Sequence, residues 1–154
     1  MTAARLLEVA REKGVRIVAA ESCTGGLIMA ALTDIAGSSD VVDRGFVTYS
    51  NAAKQQMLGV NAATLHQHGA VSQQVAAEMA QGALARSDAG LAIAVTGIAG
   101  PGGSEFKPEG RVCFGLASAA GTQTETVEFG AIGRDRVRKA TVAHALDMML
   151  RALE

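Results

Sequence analysis

Apolar positions along this chain follow two rhythms, one of amphipathic helices and one of buried strands. Leu6, Leu7, Val9 and Ala10 recur at helical spacing ahead of Gly14, which predicts a helix over residues 3–13 closed by a glycine. The next run, Val15-Arg16-Ile17-Val18-Ala19-Ala20, is β-branched and alternates too little for a half-exposed strand, so it predicts a strand covered on both faces. Leu91 to Gly97 repeats that pattern, and Val41 to Ser50 predicts another strand. Between these runs helices are predicted over 24–36, with Leu27, Ala30, Ala31 and Ile35 on the inner side, then from an Asn51 N-cap to Gly59, over 61–68, and over 72–86 opened by Ser72. Arg111 to Ser118 and Thr122 to Phe129 are strands joined only by Ala119-Ala120-Gly121. So short a connection demands antiparallel pairing, because a parallel crossover needs about a dozen residues. Residues 133–154 close the chain as a helix with Val137, Ala140, Thr141, His144, Met148 and Ala152 along one stripe. No linker, repeat or low-complexity tract interrupts the series. The expected fold is α/β: a single three-layer α/β/α sandwich with a mixed, mostly parallel sheet, residues 1–154 forming one domain.

Composition narrows the partners. A chain of 154 residues can bury a core of ordinary size, and its formal net charge is -1. Lys and Arg are scattered except in the stretch from Arg134 to Lys139, so no broad cationic surface awaits a phosphate backbone, and aromatic residues, at 3% with no Trp, offer little for base stacking. Nucleic acid is therefore not expected as a partner. Cys23 and Cys113 lie in or beside apolar segments rather than at framework spacings, which suits a reducing compartment. Charges run through the first eleven residues, which excludes a signal segment, and no stretch reaches membrane-spanning length. The expectation is a soluble cytoplasmic protein with no membrane partner.

Chemistry concentrates at three strand ends, where open α/β sheets bind ligands. The first strand delivers Glu21-Ser22-Cys23-Thr24-Gly25-Gly26, the second Tyr49-Ser50-Asn51-Ala52-Ala53-Lys54, and the third Thr96 to Gly103; one shared cleft is expected. If Thr24, Gly25 and Gly26 open a helix, its free N–H groups suit a phosphate or an oxyanion, and the glycines admit close approach of a ligand. Tight packing of helix on strand is the other reading of the same glycines. Lys54, at the third helical position after an Asn51 cap, would be pushed towards its neutral form by the helix dipole. A free lysine titrates near ~10.4, so a base working near neutrality needs about 4 kcal/mol of environmental bias. The dipole contributes about 1 kcal/mol, and burial must contribute the remainder. A lone lysine in a first turn is more often a solvated surface charge, and Tyr49 could close its strand as a rim or core residue. His66 and His68 look like a metal pair but have no further ligand at suitable spacing, so no metal is expected. His144 reads as a hydrogen-bonded core residue, and Glu21 as a group that orients Lys54 or caps or pairs nearby.

Four blocks in this order, Ala20-Glu21-Ser22-Cys23-Thr24-Gly25-Gly26, then Gly45 to Asn51 with Lys54 and Leu58-Gly59-Val60, then His68-Gly69-Ala70-Val71-Ser72, then Thr96 to Gly103, resemble the CinA C-terminal domain family over nearly the whole chain. The resemblance implies a nicotinamide-nucleotide amidohydrolase. Such an enzyme converts nicotinamide mononucleotide to nicotinate mononucleotide and ammonia without metal or other cofactor. It also implies Ser22 as nucleophile, Lys54 as base and Tyr49 as the assisting tyrosine. Many members carry an additional N-terminal domain; this chain looks like the stand-alone form. The amides near Cys23 and Thr24 are then oxyanion donors, and the loop with Thr96, Gly97, Gly100 and Gly102 is the cradle of a mononucleotide phosphate. That loop lacks both the Walker A lysine and the dinucleotide glycine spacing. Arg44, Arg134, Arg136, Arg138 and Lys139 are possible phosphate partners, or else solvated charges or subunit contacts. Cys23 is the rival nucleophile, but neighbours at a strand end point to opposite sides, and the resemblance favours Ser22. A non-catalytic nucleotide-binding or competence-related module is the alternative function, and a homo-oligomer is expected.

Overall fold

The computed structural model describes residues 2–104 and 106–154. Its helices are α1 (Thr2–Lys13), α2 (Leu27–Thr33), α3 (Asn51–Leu58), α4 (Ala62–His68), α5 (Gln73–Ala85) and α6 (Arg134–Leu153), and its strands are β1 (Ile17–Glu21), β2 (Val42–Val47), β3 (Leu91–Gly97), β4 (Arg111–Ser118) and β5 (Gly121–Glu128). The sheet order is β2-β1-β3-β4-β5. β1 pairs in parallel with both β2 and β3, whereas β4 runs antiparallel to β3 and β5. Only β4 is reversed, so the sheet is mixed and mostly parallel.

Alternation along the central strands builds two cores. Ile17 and Ala19 of β1 and Leu91, Ile93 and Val95 of β3 face a layer of α1, α2 and α6. Val18, Ala20, Ala92 and Ala94 face the opposite layer, α3, α4 and α5. Small residues on this second face let helices sit close. A Cβ on Gly115 of β4 would stand 2.3 Å from the Ala76 carbonyl oxygen of α5, and one on Gly82 of α5 would stand 2.0 Å from the Leu58 carbonyl oxygen of α3. Neither glycine has a positive φ, so both are required by proximity rather than by backbone twist.

Several details differ from the sequence reading, among them β2, which ends at Val47 rather than Ser50. α2 starts at Leu27, not residue 24, because Gly25 and Gly26 adopt φ of 57° and 114° and turn the chain before the helix begins. Its buried residues are Ile28 and Leu32, with Leu27 exposed, so the predicted inner face is rotated. Ser50, not Asn51, caps α3: its Oγ accepts the Ala53 N–H at 3.0 Å, which moves Lys54 one position further into the helix. On α6 the buried stripe is Val137, Thr141, Ala145, Met149 and Leu153, with Met148 beside it, and Ala152 lies outside it. Among the described residues, no helix is long and apolar enough to cross a membrane.

Candidate active site

The alternation that sorts β1 between two cores continues through its end. Ala20 faces the α5 layer, so Glu21 turns to the α2 layer and Ser22 back towards α3. Ser22 Oγ there meets Lys54 Nζ at 3.0 Å. Lys54 is 1% exposed, and its Nζ also donates to the carbonyl oxygens of Thr48 at 3.0 Å and Tyr49 at 3.2 Å. The Ser50 cap fixes the start of α3 and carries the lysine stem inwards under the cleft. The cleft has a volume of about 310 Å³ and opens over Ser22, Cys23, Tyr49, Asn51 and Lys54, with Thr96 and the loop 97–104 along its other wall and Arg134 at its rim. The three strand ends therefore do share one cleft.

Thr24, Gly25 and Gly26 are not on its surface. The Glu21 carboxylate, wholly buried, accepts the N–H groups of Gly26 at 3.2 Å, Ile28 at 2.9 Å and Met29 at 3.0 Å, and the Thr24 hydroxyl at 2.6 Å. The chain supplies its own carboxylate to the N-terminus of α2, so that terminus is closed to a substrate phosphate, and Glu21 acts there as a cap. Glycines 25 and 26 serve the turn.

The glycine-rich wall is also tied to its own scaffold. Thr96, 1% exposed, donates its hydroxyl to the Ala70 carbonyl at 2.9 Å, and the Gly102 N–H donates to the Glu109 carboxylate. A Cβ on Gly97 would stand 2.6 Å from Val112, and one on Gly100 would meet Glu109 at the same distance. Arg134 crosses the mouth, donating to the Gly100 carbonyl at 2.8 Å and to the Tyr49 hydroxyl at 3.1 Å. Tyr49 is 61% exposed. Its hydroxyl thus belongs to the rim, and it is the Tyr49 backbone carbonyl that touches Lys54.

The sequence model of the CinA C-terminal domain matches residues 1–153. The chain belongs to this family. The nicotinamide-nucleotide amidohydrolase PncC of Escherichia coli (strain K12) is 51% identical over 140 residues, covering 90% of this chain and 85% of that protein. A CinA-like protein of Chlorobium phaeobacteroides (strain BS1) is 50% identical over 147 residues, 92% of this chain but 35% of its own length. The crystal structure of the competence/damage inducible protein CihA from Agrobacterium tumefaciens superposes with a TM-score of 0.94 at 54% identity, covering 99% of this chain and 93% of that one.

Within this CinA-family fold the remaining charged and nucleophilic side chains have other employment. Burial pushes the Cys23 thiol from 9.0 up to about 12, and Cys23 packs with the α1, α2 and α6 core although it edges the cleft. Arg44 is away from the cleft, bound to Asp43 at 2.7 Å and to the Arg86 carbonyl at 3.0 Å. Lys139 pairs with Asp135 at 3.0 Å. Arg138 donates to the carbonyls of Cys23 and Thr24. His144 meets the Glu125 carboxylate and lies with its ring centroid 4.5 Å from that of Phe114, tilted by 51°, as a polar residue on a half-buried face does. Among the described residues, no cluster of His, Cys, Asp or Glu could hold a metal ion. Asn51 lines the cleft and Glu109 holds the loop beside it through the Gly102 N–H, and sequence reasoning missed both. Asn51 was hidden by being assigned the cap that Ser50 makes, and Glu109 has no local motif.

Proposed function

We propose that this chain is a nicotinamide mononucleotide deamidase, releasing ammonia from the carboxamide through a Ser22 and Lys54 acyl-transfer mechanism. The observation that carries the reading is the buried Lys54 Nζ, 3.0 Å from Ser22 Oγ at the head of the cleft. The names of the 51% identical relatives supply the substrate. A neutral amine has two N–H donors and one lone pair. When Lys54 is neutral, the carbonyls of Thr48 and Tyr49 can accept its two N–H groups while the lone pair takes the Ser22 hydroxyl proton across the 3.0 Å contact. Removal from water favours that neutral form.

Ser22 Oγ attacks the carboxamide carbon as its proton passes to Lys54 Nζ. The tetrahedral oxyanion collapses, the C–N bond breaks, and the lysine ammonium returns the proton to the leaving nitrogen, so ammonia departs and a nicotinoyl ester of Ser22 remains. Water then attacks the ester, gives a proton to Lys54, and expels Ser22 Oγ, which recovers it. Nicotinate mononucleotide leaves. Tyr49 holds Lys54 through its carbonyl and Arg134 through its hydroxyl. Arg134 and the amides of the 97–103 loop that remain open are the cradle for the phosphate, and the reaction needs no cofactor. Residues 1–154 act as one amidohydrolase domain in the cytoplasm, as a homo-oligomer.

The test is ammonia release from nicotinamide mononucleotide in the presence of chelator, beside Ser22→Ala and Lys54→Ala. Activity in the native protein and a loss of about 10³-fold or more in each variant is the expected result. Binding of the mononucleotide with no release would replace this reading with that of a nucleotide-binding module.

A further inference from the structure

Arg138 comes from the second turn of α6, beyond the cleft wall, and closes on the backbone just after Ser22. Its Nε donates to the Cys23 carbonyl at 3.1 Å and its Nη2 to the Thr24 carbonyl at 3.2 Å. Gly25 leaves room for it: a Cβ there would stand 3.5 Å from Nη2, at a φ of 57°. The carbonyl before these two, that of Ser22, accepts the Gly25 N–H at 3.1 Å. Three consecutive peptide groups after the nucleophile are thereby fixed, one by the turn and two by the guanidinium.

The consequence is directional. A trans peptide holds its C=O and N–H antiparallel. The Cys23 N–H shares its peptide plane with the Ser22 carbonyl. Because that carbonyl points into the turn towards Gly25, the Cys23 N–H points out of it, and Cys23 is the residue of this segment that reaches the cleft beside Ser22. The amide that follows a nucleophile is well placed to receive the oxyanion of acyl transfer. Its aim depends on the turn, and the turn is clasped by Arg138 from the outside while the Glu21 carboxylate clasps it from the α2 side.

We infer that Arg138 is a positioning residue for acyl transfer: it touches no substrate, and it locks the Ser22 to Gly25 turn so that the Cys23 N–H is held in place for the oxyanion. The inference rests on the proposed Ser22 mechanism. It differs from a phosphate-binding role, which would appear as a loss of substrate affinity.

The experiment is steady-state deamidation of nicotinamide mononucleotide by Arg138→Ala and Arg138→Lys, with Arg151→Ala, an exposed residue of the last turn of α6, as control. The expected result is a fall in kcat of about 10- to 100-fold with KM within about threefold, since a misplacement of about 1 Å can cost about 10²-fold. The control should be unchanged. Guanidinium at tens of millimolar should restore several-fold activity to Arg138→Ala and none to Lys54→Ala, and the pH profile of kcat should keep its shape. Rates are taken per folded molecule, measured by circular dichroism, so that a simple loss of folded protein is separated from a slower site. Unchanged kcat, a rise confined to KM, or failure of guanidinium to rescue a folded Arg138→Ala would each overturn the inference. If the native protein releases no ammonia, or Ser22→Ala still does, the proposed function falls and takes this inference with it. If both behave as proposed and the Arg138 variants match the native enzyme, this inference falls alone.

Discussion

A lysine side chain at 1% exposure is the least economical residue in this molecule, because a polar nitrogen removed from water must find hydrogen-bond partners inside the protein. Thr48, Tyr49 and Ser22 provide them. An apolar residue of similar length should fill the same space without that demand. Lys54→Met is therefore expected to lose about 10³-fold or more in activity while its stability in urea stays within about 1 kcal/mol of native or rises. A large loss of stability would mean that the lysine holds the fold rather than the reaction. Cys23 makes the opposite case. With its thiol pushed by burial up to about 12, it is protonated at any ordinary pH, so native-state labelling by a thiol reagent at pH 8 should be far slower than in the urea-unfolded chain. The folded thiol's raised value also means that its contribution to stability is complete below the ordinary thiol value of 9.0 and drains away as pH rises towards about 12. Fast labelling in the native state would return Cys23 to the list of nucleophiles. The sequence brought Ser22 and Tyr49 forward because each stands just past a strand end, and Lys54 because it lies near the start of the helix that follows. It could not show that Glu21 closes the anion site at α2, since a capping carboxylate is recognisable only once the helix start is known to the residue, and two glycines with positive φ move that start from residue 24 to Leu27.

The elements were legible for a related reason: a strand buried on both faces and a helix buried on one have distinct rhythms, and β1, β3 and α5 follow theirs closely. What the rhythm does not carry is how near two elements stand. Gly82, in the middle of α5, has ordinary helical backbone and gives no signal beyond a small side chain, yet the Leu58 carbonyl of α3 occupies the place of its Cβ at 2.0 Å. Alanine has the better helix propensity by about 1 kcal/mol, so an isolated helix would be stabilised by the exchange. Here contact decides the sign. Gly82→Ala must push α3 away from α5 and is expected to cost about 1–3 kcal/mol in chemical denaturation. Since α3 carries Lys54, the same variant should lose activity even under conditions where it is fully folded. A stabilised or equally active Gly82→Ala protein would show that the two helices are not held at this separation. The α3 boundary repeats the lesson at smaller scale, for Ser50 and Asn51 are both good caps and only the Ser50 Oγ to Ala53 bond tells them apart.

Taken as a whole, the molecule places its cleft between two helical layers that meet across the sheet. Lys54 arrives from the α3 side and Arg134 from α6, and the walls between them are the β1 turn and the loop after β3. A mononucleotide seated there would contact groups from both layers at once, while the unfolded chain would have no comparable site. Binding must then add to global stability by mass action, about 2.7 kcal/mol when the free ligand is at 100 times its dissociation constant. For a domain of this size that corresponds to a rise in Tm of about 5–11 °C. Ser22→Ala is the protein to use, because it keeps the ligand intact during the scan. The rise should be the same with and without chelator, and nicotinamide lacking its ribose phosphate should give much less of it, since a pyridine ring seated at Ser22 would reach only the β1 side of the cleft. A shift with the mononucleotide that vanished on adding chelator would put a metal in the site, and equal shifts with nicotinamide would remove the phosphate cradle from the loop 97–103. A Ser22→Ala protein that bound the mononucleotide but melted at an unchanged temperature would mean that the two layers are not bridged by the ligand, and the cleft would have to be redrawn on one layer alone.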